Sequence, residues 1–440
     1  MQAVPRKLPN TPVDVWRTTP ETLDLAENAK RFGWWDFPLE SAATDSAEMD
    51  GIDRAYWFYK SARPITRTSR DVSDALFLND KSIVELPTAF RKQQTATLSA
   101  LGDLIQARGL EHSKDLLFES IEAAVFNADI SFANYESVVA DDHVVSEAIG
   151  DGRSSMMCCS SAQYSALTEH QGRRFTILNL ANNHSLDLGV QGLRTTQELC
   201  RANGIIEIGA PRCAEEYGRG TVFTKRGIRF GFVSVTFGLN GRPLPDGEHY
   251  CVHASPLMSK RVVADLELLK SQIRSCKHQN ADVIIASIHW GFEFEFFPRR
   301  KQIELAHALV EEGADIILGH HPHVVQPIEY YRTTRDPNRV AVIAYSLGSL
   351  TWDWYTAPHL ILSLMLNFQF AKGDTSAGSR TYIESVTATP LFRNIFYRGD
   401  NKVMRIEQLR DHLDAKNADF GHLEQMQQYV DLISGRGAPV

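Results

Sequence analysis

The chain has 440 residues, 43% hydrophobic and 23% charged, which is ample for one large domain or two ordinary ones and excludes a disordered or fibrous class. A formal net charge of -8 argues against a broad electrostatic nucleic-acid footprint, and no run of eighteen apolar residues offers a membrane-spanning segment. Met1 to Pro20 lacks the apolar stretch of a signal peptide. The six cysteines show neither Cys-x-x-Cys spacing nor disulfide-scaffold density, so a reduced, cytoplasmic protein is expected.

Residues 1–94 carry many breakers and aromatics, among them Trp34, Trp35, Trp57 and Tyr59, but no long periodic segment. They are expected to form an N-terminal extension that packs on the core and covers part of its crevice. From Thr95 the pattern changes to short apolar runs at 95–101, 130–133, 175–178, 229–235, 283–288, 316–318 and 340–345. Helical periodicity falls between several of them, at 113–126, 192–203, 256–276 and 299–313. This alternation predicts an α/β fold with a largely parallel sheet over 95–393. The stretch 141–174 has no clear period; its Arg153, Arg173 and Arg174 read as substrate contacts or as plain surface. Beyond Trp352, 359–370 and 380–389 read as strands around a polar turn at 372–379. The pattern over 403–433 predicts one or two surface helices in a C-terminal helical segment, 394–440.

The chemistry-bearing residues lie just after the apolar runs. Gly102-Asp103 follows the first, Asn134-Tyr135-Glu136 the second, and Ala181-Asn182-Asn183-His184 with Asp187 and Gly189 the third. His289-Trp290-Gly291, Gly319-His320-His321-Pro322-His323 and Tyr345-Ser346-Leu347-Gly348 follow later ones. In open α/β sheets the crevice outside the strands' C-terminal ends is where ligands bind. Imidazole is the commonest neutral metal ligand near pH 7, so three histidines within five residues at such an end point to a metal site. Mixed oxygen and nitrogen donors suit zinc, manganese or iron better than calcium. Singly, each residue has a plainer reading: Asp103 as a cap, Asn183 as a turn residue, His289 as a core histidine, Glu136 as a surface acid. Their shared position at one sheet edge favours the site.

On these motifs the chain resembles the CapA family of poly-γ-glutamate capsule-synthesis proteins, itself similar to calcineurin-like metallophosphatases, from about Thr95 to Arg393. The resemblance implies a four-layer α/β/β/α metallophosphatase-like sandwich holding two divalent ions. It assigns Asp103 and His323 to the first metal, Asn183, His289 and His321 to the second, and Glu136 as the bridge. It makes His184 the catalytic residue that faces the substrate, as proton donor or oxyanion stabiliser, and Asp187 its orienting partner. Where metallophosphatases carry a histidine two residues after the first aspartate, this chain has Ile105, so the first metal has one ligand fewer. Arg108, Asn240 and Glu293 are the expected substrate-side residues; Asn240 lies in a turn at 236–245, with Gly241, Arg242 and Pro243, expected at the crevice rim. The implied activity is hydrolysis of an amide, of γ-glutamyl or related type, in an anionic small-molecule or oligomeric substrate. A phosphoesterase and a non-catalytic polyglutamate-binding subunit of a capsule-synthesis complex are the alternatives. The expected partners include no nucleic acid and no membrane; a homo-oligomer is compatible with the reading.

Overall fold

The computed structural model describes residues 19–73, 75–78, 84–141, 156–376, 378–413 and 421–434; Arg153 lies outside them. Among the described residues, two sheets face each other across a shared core. The strands and helices that position the site are, in chain order, α1 (Pro20–Phe32), α2 (Gly51–Ala62), β1 (Arg91–Leu104), β2 (Ile130–Tyr135), β3 (Ile177–Asn179), α3 (Gly189–Ala202) and β4 (Ile206–Ile208). Then come β5 (Thr221–Lys225), β6 (Ile228–Thr236), α4 (Glu267–His278), β7 (Val283–His289), α5 (Arg300–Glu312), β8 (Ile316–His320), β9 (Ile328–Arg332) and β10 (Val340–Ala344). The chain ends with β11 (Ser349–Thr351), β12 (Leu362–Thr375), β13 (Gly378–Arg398), β14 (Asn401–Gln408) and α6 (Gly421–Ser434).

The first sheet runs β14-β13-β12-β1-β2-β3-β4, with β11 pairing beside the end of β1. The second runs β9-β10-β8-β7-β6-β5. The centre of each is parallel: β1, β2, β3 and β4 in one, β6, β7, β8 and β10 in the other. Their facing sides supply Leu98, Phe132, Phe230, Phe232, Ile285 and Ile316 to one apolar core. Leu193 and Cys200 of α3 pack on the outer side of the first sheet, and Leu269 and Ile273 of α4 with Ala306 and Leu309 of α5 cover the second. The result is the expected α/β/β/α layering.

Both sheets aim their parallel strands at one end, and the segment 345–348 ties them together there. Leu347 N donates to Gly319 O at 3.2 Å in the second sheet, and Asp103 N donates to Gly348 O at 3.0 Å in the first. Only glycine fits where this segment passes: a Cβ on Gly102 would sit 1.9 Å from Gly348 O, and one on Gly319 1.8 Å from Tyr345 O. The glycines of three motifs thus bring both strand-end clusters into one crevice.

Several predicted elements differ. Within 113–126 only a helix at Glu122–Phe126 remains of the expected one. Asp115 adopts φ 58°, and Leu117 O accepts from Ile406 N at 2.8 Å, so the backbone there pairs with β14. The helix expected from 256 begins only at Glu267, because Ser259 Oγ accepts from Arg261 N and Val262 N and offers the backbone an alternative to helix. The expected C-terminal helical segment is in part sheet: β13 extends to Arg398 and β14 pairs antiparallel with it, joined by the two-residue loop Gly399-Asp400. Gly399 has φ 60°, the left-handed backbone such tight hairpins use. The N-terminal extension contains two helices. α1 is bounded by the Thr19 cap, Pro20 and a left-handed Gly33; α2 by the reciprocal capping box of Asp50 and Asp53. No helix among the described residues is long and apolar enough to cross a membrane.

Candidate metal centre

The register of the first sheet sets Asp103 between Asn134 and Ser349, and that of the second sets His289 beside His320. Asn134 Nδ2 donates to Asp103 Oδ1 at 2.9 Å, and His320 Nδ1 lies 2.9 Å from the same oxygen. His321 and His323 follow β8 with φ of 95° and 56°. Two non-glycine residues held in left-handed backbone at a strand end are the kind of strain that surrounding structure sustains at functional sites.

Two groups of donor atoms converge, each with its atoms within 4.8 Å of one another: Glu136, His289 and His321, and Asp103, Glu136 and His323. Glu136 belongs to both. Asn183 joins the first group, its Oδ1 2.9 Å from His289 Nε2, which is 3.6 Å from Glu136 Oε1. All these residues are buried, yet Glu136 Oε1 and His321 Nδ1 have no hydrogen-bond partner among the described residues. Buried polar atoms are rarely left so, and neutral imidazoles facing an unsatisfied carboxylate oxygen are a donor set for a divalent transition ion. The outer nitrogens are held as ligating imidazoles usually are: His323 Nδ1 lies 2.8 Å from Ser349 Oγ, and His321 Nε2 3.0 Å from Thr44 Oγ1.

The electrostatics suit a cation. Burial, then the charges of Asp103, Glu293 and Asp187, push the Glu136 carboxyl well above the usual range. Burial opposes ionisation of Asp103, but hydrogen bonds from His320 and His323 and the neighbouring imidazoles outweigh it and hold its carboxyl well below. Burial, then neighbouring imidazole charge at His321, keeps His289 and His321 neutral with lone pairs free for a metal.

His184 stands beside this cluster. Its Nδ1 lies 2.7 Å from Asp187 Oδ2, and its Nε2 faces Glu136 Oε1 at 4.0 Å. Asp187 is fixed in turn by Met157 N at 2.6 Å and by the Arg242 guanidinium at 3.1 Å. The expected pairing of His184 with Asp187 is therefore present in the geometry.

The substrate-side residues divide. Asn240 lies at the site: with φ 52° its Oδ1 accepts from Asn183 Nδ2 at 3.2 Å, which fixes the Asn183 carboxamide. Glu293 lies against the metal groups, with Oε1 3.6 Å from His323 Nε2. Arg108 is not gathered with them; its guanidinium pairs with Asp353 at 2.6 Å, whose other oxygen takes Lys402. Arg173 and Arg174 pair with Glu122 and Glu169. Sequence reasoning missed Thr44, Asn134, Ser349 and the role of Arg242. Asn134 lies within a quoted motif and Ser349 directly follows one, so both were within reach; nothing in the sequence around Thr44 marks it.

The family model for the bacterial capsule synthesis protein PGA_cap matches residues 97–353, the span that carries both donor groups described above. The chain belongs to this family. It is 29% identical over 300 residues to the PGA biosynthesis protein CapA of Bacillus subtilis (strain 168), covering 66% of this chain and 72% of that protein. It is 27% identical over 274 residues to the capsule biosynthesis protein CapA of Bacillus anthracis, where the match covers 61% of this chain and only 62% of its relative's length. Among solved structures, the calcineurin-like phosphoesterase YfkN from Bacillus subtilis aligns over 77% of this chain and 99% of its own, with 11% identity and a TM-score of 0.34. The family match leaves out Thr44, which touches His321, and Trp57, whose Nε1 donates to Glu293 Oε2.

Proposed function

We propose that this protein is a hydrolase dependent on two divalent ions, of manganese, zinc or iron, and that it cleaves an amide of γ-glutamyl or related type in capsule or poly-γ-glutamate metabolism. The observation that carries the reading is the sharing of Glu136 by two donor groups with His184 beside them. Held by Asp103, Glu136, Asn183, His289, His321 and His323, two divalent ions would lower the pKa of water and polarise the attacked carbonyl. The chain's own residues supply the rest. Asp187 fixes His184 through Nδ1, which leaves Nε2 to give a proton to the departing amine nitrogen as the C–N bond breaks and the new C–O bond forms. Arg242, with 28% of its side chain exposed beside Asp187, is suited to hold a substrate carboxylate. Asn240 Nδ2, buried without a hydrogen-bond partner among the described residues, is a further donor for substrate. The same reading places the protein in the cytoplasm, supported by six free cysteines, five of them buried.

The test is hydrolysis of γ-glutamyl oligomers by the manganese-loaded protein, with aryl phosphates as the comparison. Release of glutamate from the oligomers supports the reading; turnover of the phosphates alone would make it a phosphoesterase, and turnover of neither, with oligomer still bound, a binding subunit. Arg242→Ala is expected to raise KM for the anionic oligomer about tenfold, since a hydrogen bond to a charged group is worth ~1.5–3 kcal/mol. KM for a neutral γ-glutamyl amide should change far less, which a paired kinetic comparison would check.

A further inference from the structure

The two donor groups are unequal. Glu136, His289, His321 and Asn183 give four side chains on one side, whereas Asp103, Glu136 and His323 give three on the other. Ile105, two residues after Asp103, is fully buried and adds no donor; its backbone N–H and carbonyl are both taken up by the Thr351 hydroxyl at 2.8 Å. We propose that Glu293 supplies the fourth ligand of the Asp103 side and completes the centre.

Three observations carry this, given the two-ion reading above on which it rests. Glu293 Oε1 is 3.6 Å from His323 Nε2, a separation typical of neighbouring ligand atoms: the His289 and Glu136 atoms of the opposite group are also 3.6 Å apart. The other carboxylate oxygen, Oε2, accepts from Trp57 Nε1 of α2, the partnering expected of a carboxylate that ligates through one oxygen and is oriented through the second. The backbone that presents Glu293 is strained: Phe294 is held at φ 61°, a rare conformation for an aromatic residue, by Phe294 N donating to Pro322 O at 2.8 Å and Phe294 O accepting from Ile65 N at 2.9 Å. Pro322 lies between His321 and His323, so the loop bearing Glu293 is tied to the ligand loop itself. On this account α2 of the N-terminal extension acts as a brace. Trp57 sets the carboxylate, and its neighbour Tyr56 and Lys60, one turn on, grip Glu295 of the same loop at 3.0 Å each.

The experiment is titration of metal-free protein with Mn2+, read by calorimetry and by Mn2+ electron paramagnetic resonance, on the unaltered protein, Glu293→Gln, Glu293→Asp and Trp57→Phe. Removing an outer partner of a ligand typically lowers metal affinity 10–100-fold. Loss of the ligand itself in Glu293→Gln should therefore weaken one of two equivalents by at least about 100-fold and leave the other unchanged. Glu293→Asp, which keeps the carboxylate, should retain part of that affinity, and Trp57→Phe should weaken the same equivalent by roughly tenfold or more. Two unaltered equivalents in both Glu293→Gln and Glu293→Asp would overturn the assignment while leaving the two-ion reading intact. No binding by the unaltered protein would overturn both. Matching melting curves of the metal-free proteins separate these results from misfolding; if Glu293→Gln does not fold, the comparison of Glu293→Asp and Trp57→Phe decides.

Discussion

His289→Ala is expected to lower the metal content from two ions to one and to cut hydrolysis by roughly 10²–10³-fold or more, the scale seen when one preorganised transition-state contact is removed. The size of the effect follows from where the imidazole sits. It is the last residue of β7, fully buried, with Nε2 converging on Asn183 Oδ1 and Glu136 Oε1. The other donor group shares only Glu136 with the group that contains His289, so an ion held by Asp103, Glu136 and His323 should persist. Elemental analysis and initial rates measured on the same preparation check the two together. Retention of both ions with unchanged rate would mean that His289 is a core histidine after all.

The second large effect lies at Glu295, where the N-terminal extension is fastened to the core. Its carboxylate accepts from Tyr56 OH and Lys60 Nζ at 3.0 Å and from Arg299 Nη2 at 2.8 Å, and the Lys60, Glu295 and Arg299 side chains are all nearly inaccessible. Burial alone would raise its pKa, but the Arg299 and Lys60 charges outweigh that and bring it from the ordinary 4.5 to about 2. A carboxylate whose pKa is depressed on folding stabilises the native state above its unfolded pKa, and this is lost as pH falls through its folded pKa. For Glu295 the shift is worth roughly 3 kcal/mol, present above pH 4.5 and fading towards pH 2. Glu295→Ala should cost about 3–5 kcal/mol at neutral pH, because it strands two buried cations. Urea unfolding at pH 7 and at pH 3 measures both quantities: the variant should be much the weaker at pH 7 and lie closer to the unaltered protein at pH 3. A loss below about 1 kcal/mol at pH 7 would contradict this account of how α2 is held.

Much of the fold, and the residues that gather at the candidate site, were legible in the sequence, for a physical reason. Parallel strands buried on both faces read as short apolar runs, and their C-terminal ends are where polar residues become affordable because a crevice opens there. Asp103, Glu136, Asn183, His289, His321 and His323 all stand at such ends and all meet in the structure. The errors have equally local causes. β14 was read as helix although Gly399-Asp400 before it is a hairpin signal, and 113–126 was read as helix although its backbone is used by that misread strand. Arg108 was read as an anion holder because guanidinium suits carboxylates, and the carboxylate it meets is Asp353, 245 residues away in sequence. The N-terminal extension was least legible. Its capping signals at Thr19, Pro20 and Gly33 were readable, but its contribution to the site is made through Thr44 on His321 and Trp57 on Glu293, contacts across more than two hundred residues that no local pattern announces.

The most direct test of the central claim is the metal content of the chain purified without chelator, measured beside Glu136→Gln. Glu136 is the one residue common to both donor groups, so its loss should empty both, unlike the loss of His289. The account predicts close to two transition-metal ions per unaltered chain and nearly none in the variant. An unaltered chain that holds no ion, even after addition of manganese or zinc, would contradict it.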